Sequence, residues 1–470
     1  MGTVVYAGKF EGRPVAIKRM VKTFYGANNA DKEIALLIDS DQHPNVLRYY
    51  SREEDEHFVY LALERGTGSL NDLVNPSSSP SKKNRNKSKQ PPPSATVLNL
   101  LHNMLSGLAH LHALNIVHRD LKPHNILLGG DSRAMIADMG LGKKLDRQRS
   151  SFDSQVSRST GWSAPELVEE EDEKMPTRKR LTKAVDVFSA GCVLFYVVTN
   201  GQHPFGSNVE RDVNILKWKC KLKAVEHLPE AFDLVGSMVV QDPDDRFEPR
   251  AMHGCRLTAE ECSSHPLFWT DEMKLQFLQD VSDRIESEPV TGPLRTAMER
   301  DSKFREVVHC RRQVVGADWS QSLCQGLLDN LTKFRKYEYG SVRDCLRIIR
   351  NKRNHYRDLP PEVQTTLGTL PSGFLHYFLS RFPRLLLHTY FVIGSFLESP
   401  LLSSTPNASV DVDGSAPSKS LVVTVLTSTF GKYYHGLTVR RLRQFQNIVL
   451  GKPFDSRQWY PTLAQWVSSS

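Results

Sequence analysis

The chain of 470 residues carries a formal net charge of +8, with 39% hydrophobic and 24% charged residues. That balance belongs to a folded soluble protein and excludes a disordered or membrane-embedded one, and the length allows two or three domains with their own cores. The seven cysteines (Cys192, Cys220, Cys255, Cys262, Cys310, Cys324 and Cys345) form no CxxC pair, which points to reduced thiols facing a cytosol rather than to disulfides or a structural metal.

The opening MGTVVYAGKF has no apolar core of a signal peptide. Residues 4–6 and 15–18 read as two strands of a hairpin, 32–38 as a helix and 58–63 as a further strand. Residues 75–95, NPSSSPSKKNRNKSKQPPPSA, cannot bury a core and are expected to be a disordered insertion within a domain. Helical patterning resumes at 97–112 and dominates to residue 268, with a buried apolar helix at 189–198. A second helical unit is expected from Trp269 to Tyr390. Beyond it, 401–420 is rich in Ser, Pro, Asn and Asp, and the last fifty residues regain aromatics without an assignable role. The apolar runs 189–199 and 391–402 are too short to cross a bilayer, so membrane attachment is expected only through a segment outside this chain.

Phosphoryl transfer needs cations on the phosphates, carboxylates on Mg²⁺ and a carboxylate beside the attacking hydroxyl. The sequence supplies these in kinase order. Val15-Ala16-Ile17-Lys18 puts a lysine on a strand, with Glu33 as its expected helix partner. His118-Arg119-Asp120-Leu121-Lys122-Pro123-His124-Asn125 resembles the catalytic loop: Asp120 to take the hydroxyl proton, Lys122 to stabilise the moving phosphoryl, Asn125 to bind metal. Asp138-Met139-Gly140 supplies the second metal carboxylate, and Ala164-Pro165-Glu166 closes the activation segment with Arg246 as the expected partner of Glu166. ATP or ADP held by this signature would meet Gly2, Val5, Ala16, Lys18, Glu33, Glu64, Gly66, Lys122, Asn125 and Asp138, with Mg²⁺ on Asn125 and Asp138. Only Gly2 remains of the glycine-rich loop, and Met139 stands where kinases carry Phe. Ser150, Ser151, Ser154 and Ser157 lie among arginines in the activation segment and are candidate autophosphorylation sites.

Residues 331–357, LTKFRKYEYGSVRDCLRIIRNKRNHYR, hold nine Lys or Arg against two acidic residues, a local charge of +7. Such a run binds polyanions. It also contains Tyr337, Arg350, Asn351 and His355. Asn351 and His355 are four apart, so they share a face if the helix from Ser341 reaches that far, and Arg350 is a phosphate fork beside them. Taken singly, His355 reads as a surface or capping histidine, Tyr337 as a boundary aromatic and the arginines as a solvated helix face.

HRDLKPHNIL, SAGCVLFYVVTNGQHPFG, FLQDVSDRIE and GSVRDCLRIIRNKRNHYRDLP together resemble the cytosolic half of the inositol-requiring unfolded-protein sensor family. Lys122 separates the chain from the 2-5A-dependent ribonucleases, which usually carry glutamine there. The resemblance implies an α+β fold: a two-lobed protein kinase at 1–268, an all-α kinase-extension nuclease at 269–395, and a tail at 396–470 of unknown role. It implies His355 as general acid, Tyr337 as general base, and Arg350 and Asn351 on the scissile phosphate. The substrate would be an mRNA stem-loop rather than DNA, because the chemistry needs a 2′-hydroxyl. It further implies homodimers or higher oligomers, and a place at the cytosolic face of the endoplasmic reticulum membrane. Two other readings fit the residues: a plain kinase with a basic docking extension, and a nucleotide-sensing pseudokinase that gates the nuclease.

Overall fold

The computed structural model describes residues 3–22, 34–76, 94–145, 160–168, 182–240, 257–300, 311–332, 336–397, 429–434 and 437. The chain divides into two compact units, Met1–Phe268 and Trp269–Ser470.

In the first unit, β1 (Thr3–Phe10), β2 (Arg13–Val21), β3 (Tyr49–Glu54) and β4 (Phe58–Glu64) form an antiparallel sheet in the order β1-β2-β4-β3. β4 alternates half-buried and buried residues along its whole length, the period-two pattern of a strand with one face on the core. The 34–40 segment is helical. Helix α1 (Ala95–Ala113) starts where the Ser94 hydroxyl accepts the Val97 N–H at 3.3 Å, a side-chain cap for an otherwise orphaned amide. Its buried Leu100, Leu101, Met104, Leu105, Leu108 and Leu111 recur at helical spacing. Short strands β5 (Gly68–Ser69), β7 (Ile126–Leu128) and β8 (Ala134–Ile136) form one small sheet, and β6 (Ile116–Val117) pairs with β9 (Lys143–Lys144); the sequence patterning did not reveal these short strands. Helix α2 (Ala184–Val198) is buried on every side. Gly191 on it lets the chain at Met238 approach, since an added Cβ would lie 2.7 Å from the Met238 Cβ.

The second unit is helical among the described residues. Helix α3 (Asp271–Glu286) packs against α4 (Val342–Asn354) and α5 (Leu385–Ser395). Thr270 caps α3 through the Met273 N–H, and Ser341 caps α4 through the Asp344 N–H. Glu299 adds a carboxylate at the start of α4, accepting from the Ser341 hydroxyl (2.6 Å) and the Val342 and Arg343 N–H groups, where the helix dipole favours negative charge.

The far C-terminal aromatics join this core. Phe430, Tyr433 and Tyr434 are buried. Tyr434 stacks on Tyr390 with ring centroids 4.8 Å apart and donates to the Tyr390 carbonyl at 2.6 Å. Tyr433 donates to Asp280 at 2.7 Å and packs edge-on against Phe277. Among the described residues no helix is long and apolar enough to cross a membrane.

Candidate active sites

The hairpin of the first unit sets Val5 opposite Lys18 and Ala7 opposite Ala16, so Val5, Ala16 and Lys18 share one face of the sheet. β4 lies along the other side of β2 and leads into Glu64 and Gly66; Glu64 is ion-paired with Arg133. Gly66 sits where a Cβ would press on the Leu127 side chain at 3.2 Å. Lys18 is buried, and its ammonium lies 3.0 Å from Asp138. Burial pushes the Asp138 carboxyl upward, but the Lys18 charge and hydrogen bond outweigh it and hold the group below its usual value.

The catalytic loop is pinned from beneath by Asp186 in the first turn of α2. Its fully buried carboxylate accepts the His118 N–H (2.8 Å) and Arg119 N–H (2.7 Å) and lies 3.0 Å from the His112 Nε2. Burial acts to raise this group too, yet His112, His118 and the Arg119 amide bring it below the ordinary carboxylate value. Those bonds hold Arg119 in the left-handed region at φ 71°, and Asp138 stands there too at φ 66°. Two non-glycine residues in that region at one site are strain maintained by the surrounding fold. The Asp120 N–H donates to His118 Nδ1, which leaves Nε2 as the donor to the Ala137 carbonyl at 3.0 Å.

Asp120, Lys122 and Asn125 are brought together. The Lys122 ammonium lies 2.8 Å from Asp120 Oδ2, and the Asn125 amide nitrogen donates to the same oxygen at 2.9 Å and to the Asp120 carbonyl at 2.8 Å. Asp120 Oδ1 is buried without a hydrogen-bond partner among the described residues. Asn125 spends its nitrogen on Asp120, so its amide oxygen and the Asp138 carboxylate remain as the hard oxygen donors that Mg²⁺ takes; this donor set fits the metal. Gly2, Glu33, Arg246, Ser150, Ser151, Ser154 and Ser157 lie outside the described residues.

The basic segment of the second unit departs from the expectation of an open polyanion patch. The arginines of α4 form a ladder with α3. Arg343 and Arg347 share Glu286, with Arg347 bidentate at 2.7 Å to each oxygen. Arg350 meets Asp283 at 3.0 Å, and Arg353 meets Glu272 at 2.7 Å. Lys352 is buried, donates to Asn330, and is lowered from its usual value by burial. Lys336 and Arg357 are exposed, and Lys333 and Arg335 lie outside the described residues. Five of the nine cations are therefore occupied within the unit.

α4 ends at the edge of the pair that the four-residue spacing joins. Its last residue is Asn354, and His355 is the C-cap. The His355 N–H still makes the helical bond to the carbonyl four residues back, Asn351, at 3.0 Å, so His355 stands one turn beyond Asn351 at the very end of the helix, on the side that the four-residue spacing predicts. Arg350 Nε and Nη2 donate to the Asn351 side-chain oxygen at 3.2 and 3.1 Å. The His355 ring is largely exposed and lies 3.2 Å from Asp358. Arg350, Asn351 and His355 thus gather at one end of α4. Tyr337 precedes the other end of that 13-residue helix, which is about 20 Å long; it packs edge-on against Trp319, with no hydrogen bond to the other three. Sequence reasoning missed Asp186, a lone acid in an apolar helix, and the acids of α3, for which the three-residue spacing of Asp280, Asp283 and Glu286 was the available signal.

Comparison with known proteins matches the two parts of the chain to two families. The family described as "Protein kinase domain" matches residues 1–268, and that described as "Ribonuclease 2-5A" matches 274–404. The chain is 41% identical over 426 residues to the Arabidopsis thaliana serine/threonine-protein kinase/endoribonuclease IRE1a, covering 84% of this chain and 47% of the relative. It is 43% identical over 404 residues to the Homo sapiens serine/threonine-protein kinase/endoribonuclease IRE2, covering 83% and 39%.

The chain belongs to the IRE1 family.

A third relative, the Schizosaccharomyces pombe "Sensor for unfolded proteins in the ER ire1", is 38% identical over 424 residues, covering 84% and 37%. The chain spans less than half the length of these IRE1 relatives. The IRE1-type fold is present as a protein kinase followed by a helical unit, and a kinase domain in general uses ATP and Mg²⁺.

Proposed function

We propose that this chain carries two activities of the IRE1 type: Ser/Thr phosphoryl transfer by residues 1–268 and RNA cleavage by residues 269–395. In the first, Asp120 accepts the proton of the attacking hydroxyl, Lys122 steadies the transferred phosphoryl, and Lys18 holds the nucleotide phosphates. Asn125 and Asp138 hold Mg²⁺, which neutralises charge on the phosphates when bound. Trans-autophosphorylation falls on the serines at 150, 151, 154 or 157. The observation that carries the second activity is the gathering of Arg350, Asn351 and His355 at the C-terminal end of α4. Arg350 and Asn351 bind the scissile phosphate of an mRNA stem-loop and His355 protonates the leaving 5′-oxygen, while Tyr337, at the other end of α4 in this structure, takes the 2′-hydroxyl proton once the segment before α4 delivers it to the site. Nucleotide binding and self-association into dimers or larger oligomers switch cleavage on, at the cytosolic face of the endoplasmic reticulum, where the response to unfolded proteins is read.

The test is incubation of the full chain with ADP, Mg²⁺ and a small RNA stem-loop, under conditions where native mass spectrometry reports dimers. Wild type is expected to cut the RNA, while His355→Ala loses about 10²- to 10⁴-fold in cleavage and keeps autophosphorylation. Intact RNA with wild-type dimers, or equal cutting by the variant, removes the nuclease assignment.

A further inference from the structure

The ladder between α3 and α4 has rungs of unequal kind. Glu286 is mostly buried and holds two arginines, one of them bidentately, an arrangement that fixes the two helices together. Asp283 touches Arg350 through a single bond at 3.0 Å, and its side chain is 58% exposed against 16% for Arg350. An exposed, monodentate pair is held weakly and exchanges readily. It also stands at the end of α4 where Arg350 grips Asn351. The guanidinium there has Nε and Nη2 on Asn351 and Nη1 on Asp283; of its five N–H groups the two left over belong to Nη1 and Nη2, so an anion that binds through Nη1 meets the Asp283 carboxylate at the same nitrogen.

We propose that Asp283 is a resident competitor at the cleavage site: its carboxylate occupies the Arg350 donor that an RNA phosphate takes, and substrate binding exchanges one anion for the other. This rests on the nuclease reading of Arg350. The fork is kept oriented in the resting protein, and nonspecific polyanions gain less from Arg350 than its charge alone would supply.

Removing the carboxylate without changing its size exposes this competition. Asp283→Asn in the full chain, with ADP and Mg²⁺, is expected to lower KM for the stem-loop about two- to five-fold, the range set by a weak exposed pair, with kcat held within two-fold. Freeing one cation for phosphate also steepens the dependence of log(kcat/KM) on log[salt] by about 0.7 between about 50 and 200 mM. Asp283→Ser makes the same predictions, and Asp283→Glu, which restores the charge, returns the wild-type slope. A fall in kcat with KM and salt slope unchanged makes Asp283 a mere support of Arg350 and overturns the competition, as does no change in any of them. Arg350→Ala in the same assay separates the two levels. If it cuts RNA like wild type, the nuclease reading of Arg350 falls; if it is inactive and Asp283→Asn matches wild type, only the competition falls.

Discussion

At the scale of single residues, chemistry depends on which partner a charged group is given. Asp120 has one oxygen committed to Lys122 and Asn125 and the other buried without a partner among the described residues, so the carboxylate is oriented before any substrate arrives. Asp120→Asn is expected to reduce autophosphorylation at least about 10²-fold, as loss of a general base does, measured by phosphate incorporation. The same variant decides how phosphoryl transfer relates to the nuclease: nucleotide-stimulated RNA cleavage that survives in it identifies bound nucleotide, not the transferred phosphate, as the switch.

Asp186 has the opposite task, which is to hold rather than react. Its folded-state value lies below the ordinary 3.8, so its stabilisation is complete above about pH 4 and is lost as pH falls through that depressed value. The thermal midpoint of the kinase unit is therefore expected to fall in acid. In Asp186→Asn, which removes the charge that His112 and the two amides face, stability at neutral pH drops by about 3 kcal/mol and the acid dependence flattens. An unchanged acid dependence in that variant would assign it to other carboxylates.

At the scale of elements, the packing of the second unit depends on residues remote in sequence. Tyr433 and Tyr434 close an aromatic cluster with Trp269, Phe277 and Tyr390, elements more than forty residues away along the chain. Burying such rings contributes through both area and edge-to-face or stacked geometry. Tyr434→Ala is expected to cost the nuclease unit about 3–5 kcal/mol. Tyr434→Phe keeps the stack, loses the bond to the Tyr390 carbonyl and costs about 1 kcal/mol. Denaturant unfolding of both variants measures the difference, and equal losses would mean that the hydroxyl, not the ring, carries the contact.

At the scale of the molecule, two hydrophobic cores with separate membership, one ending at Leu267 and the other beginning at Trp269, predict two unfolding transitions. On the proposed function ADP with Mg²⁺ binds the first unit, so it should raise that transition by about 2.7 kcal/mol at a hundredfold excess over Kd. The Tyr434→Ala change should lower only the other transition. Differential scanning calorimetry reads both effects, and a single transition that moves as one under either change would show the units unfolding together.

Much of the kinase unit was legible in the chain itself. Strand alternation, helix period and the ordered motifs at Lys18, His118 to Asn125, Asp138 and Ala164 to Glu166 are local signals, each carried by neighbours within a few residues. The same holds for the start of the second unit and for the α4 pattern from the Ser341 cap. The short strands escaped because two or three residues show no period. What only the tertiary structure decided is how long-range partners spend the charges. A run of nine cations looks like one patch in sequence, yet α3, some seventy residues upstream, takes four of its arginines and burial takes a lysine. Residue type and local period determine elements and motifs; Coulomb pairing and burial act through space, and the sequence of one segment does not say which acid will stand opposite it.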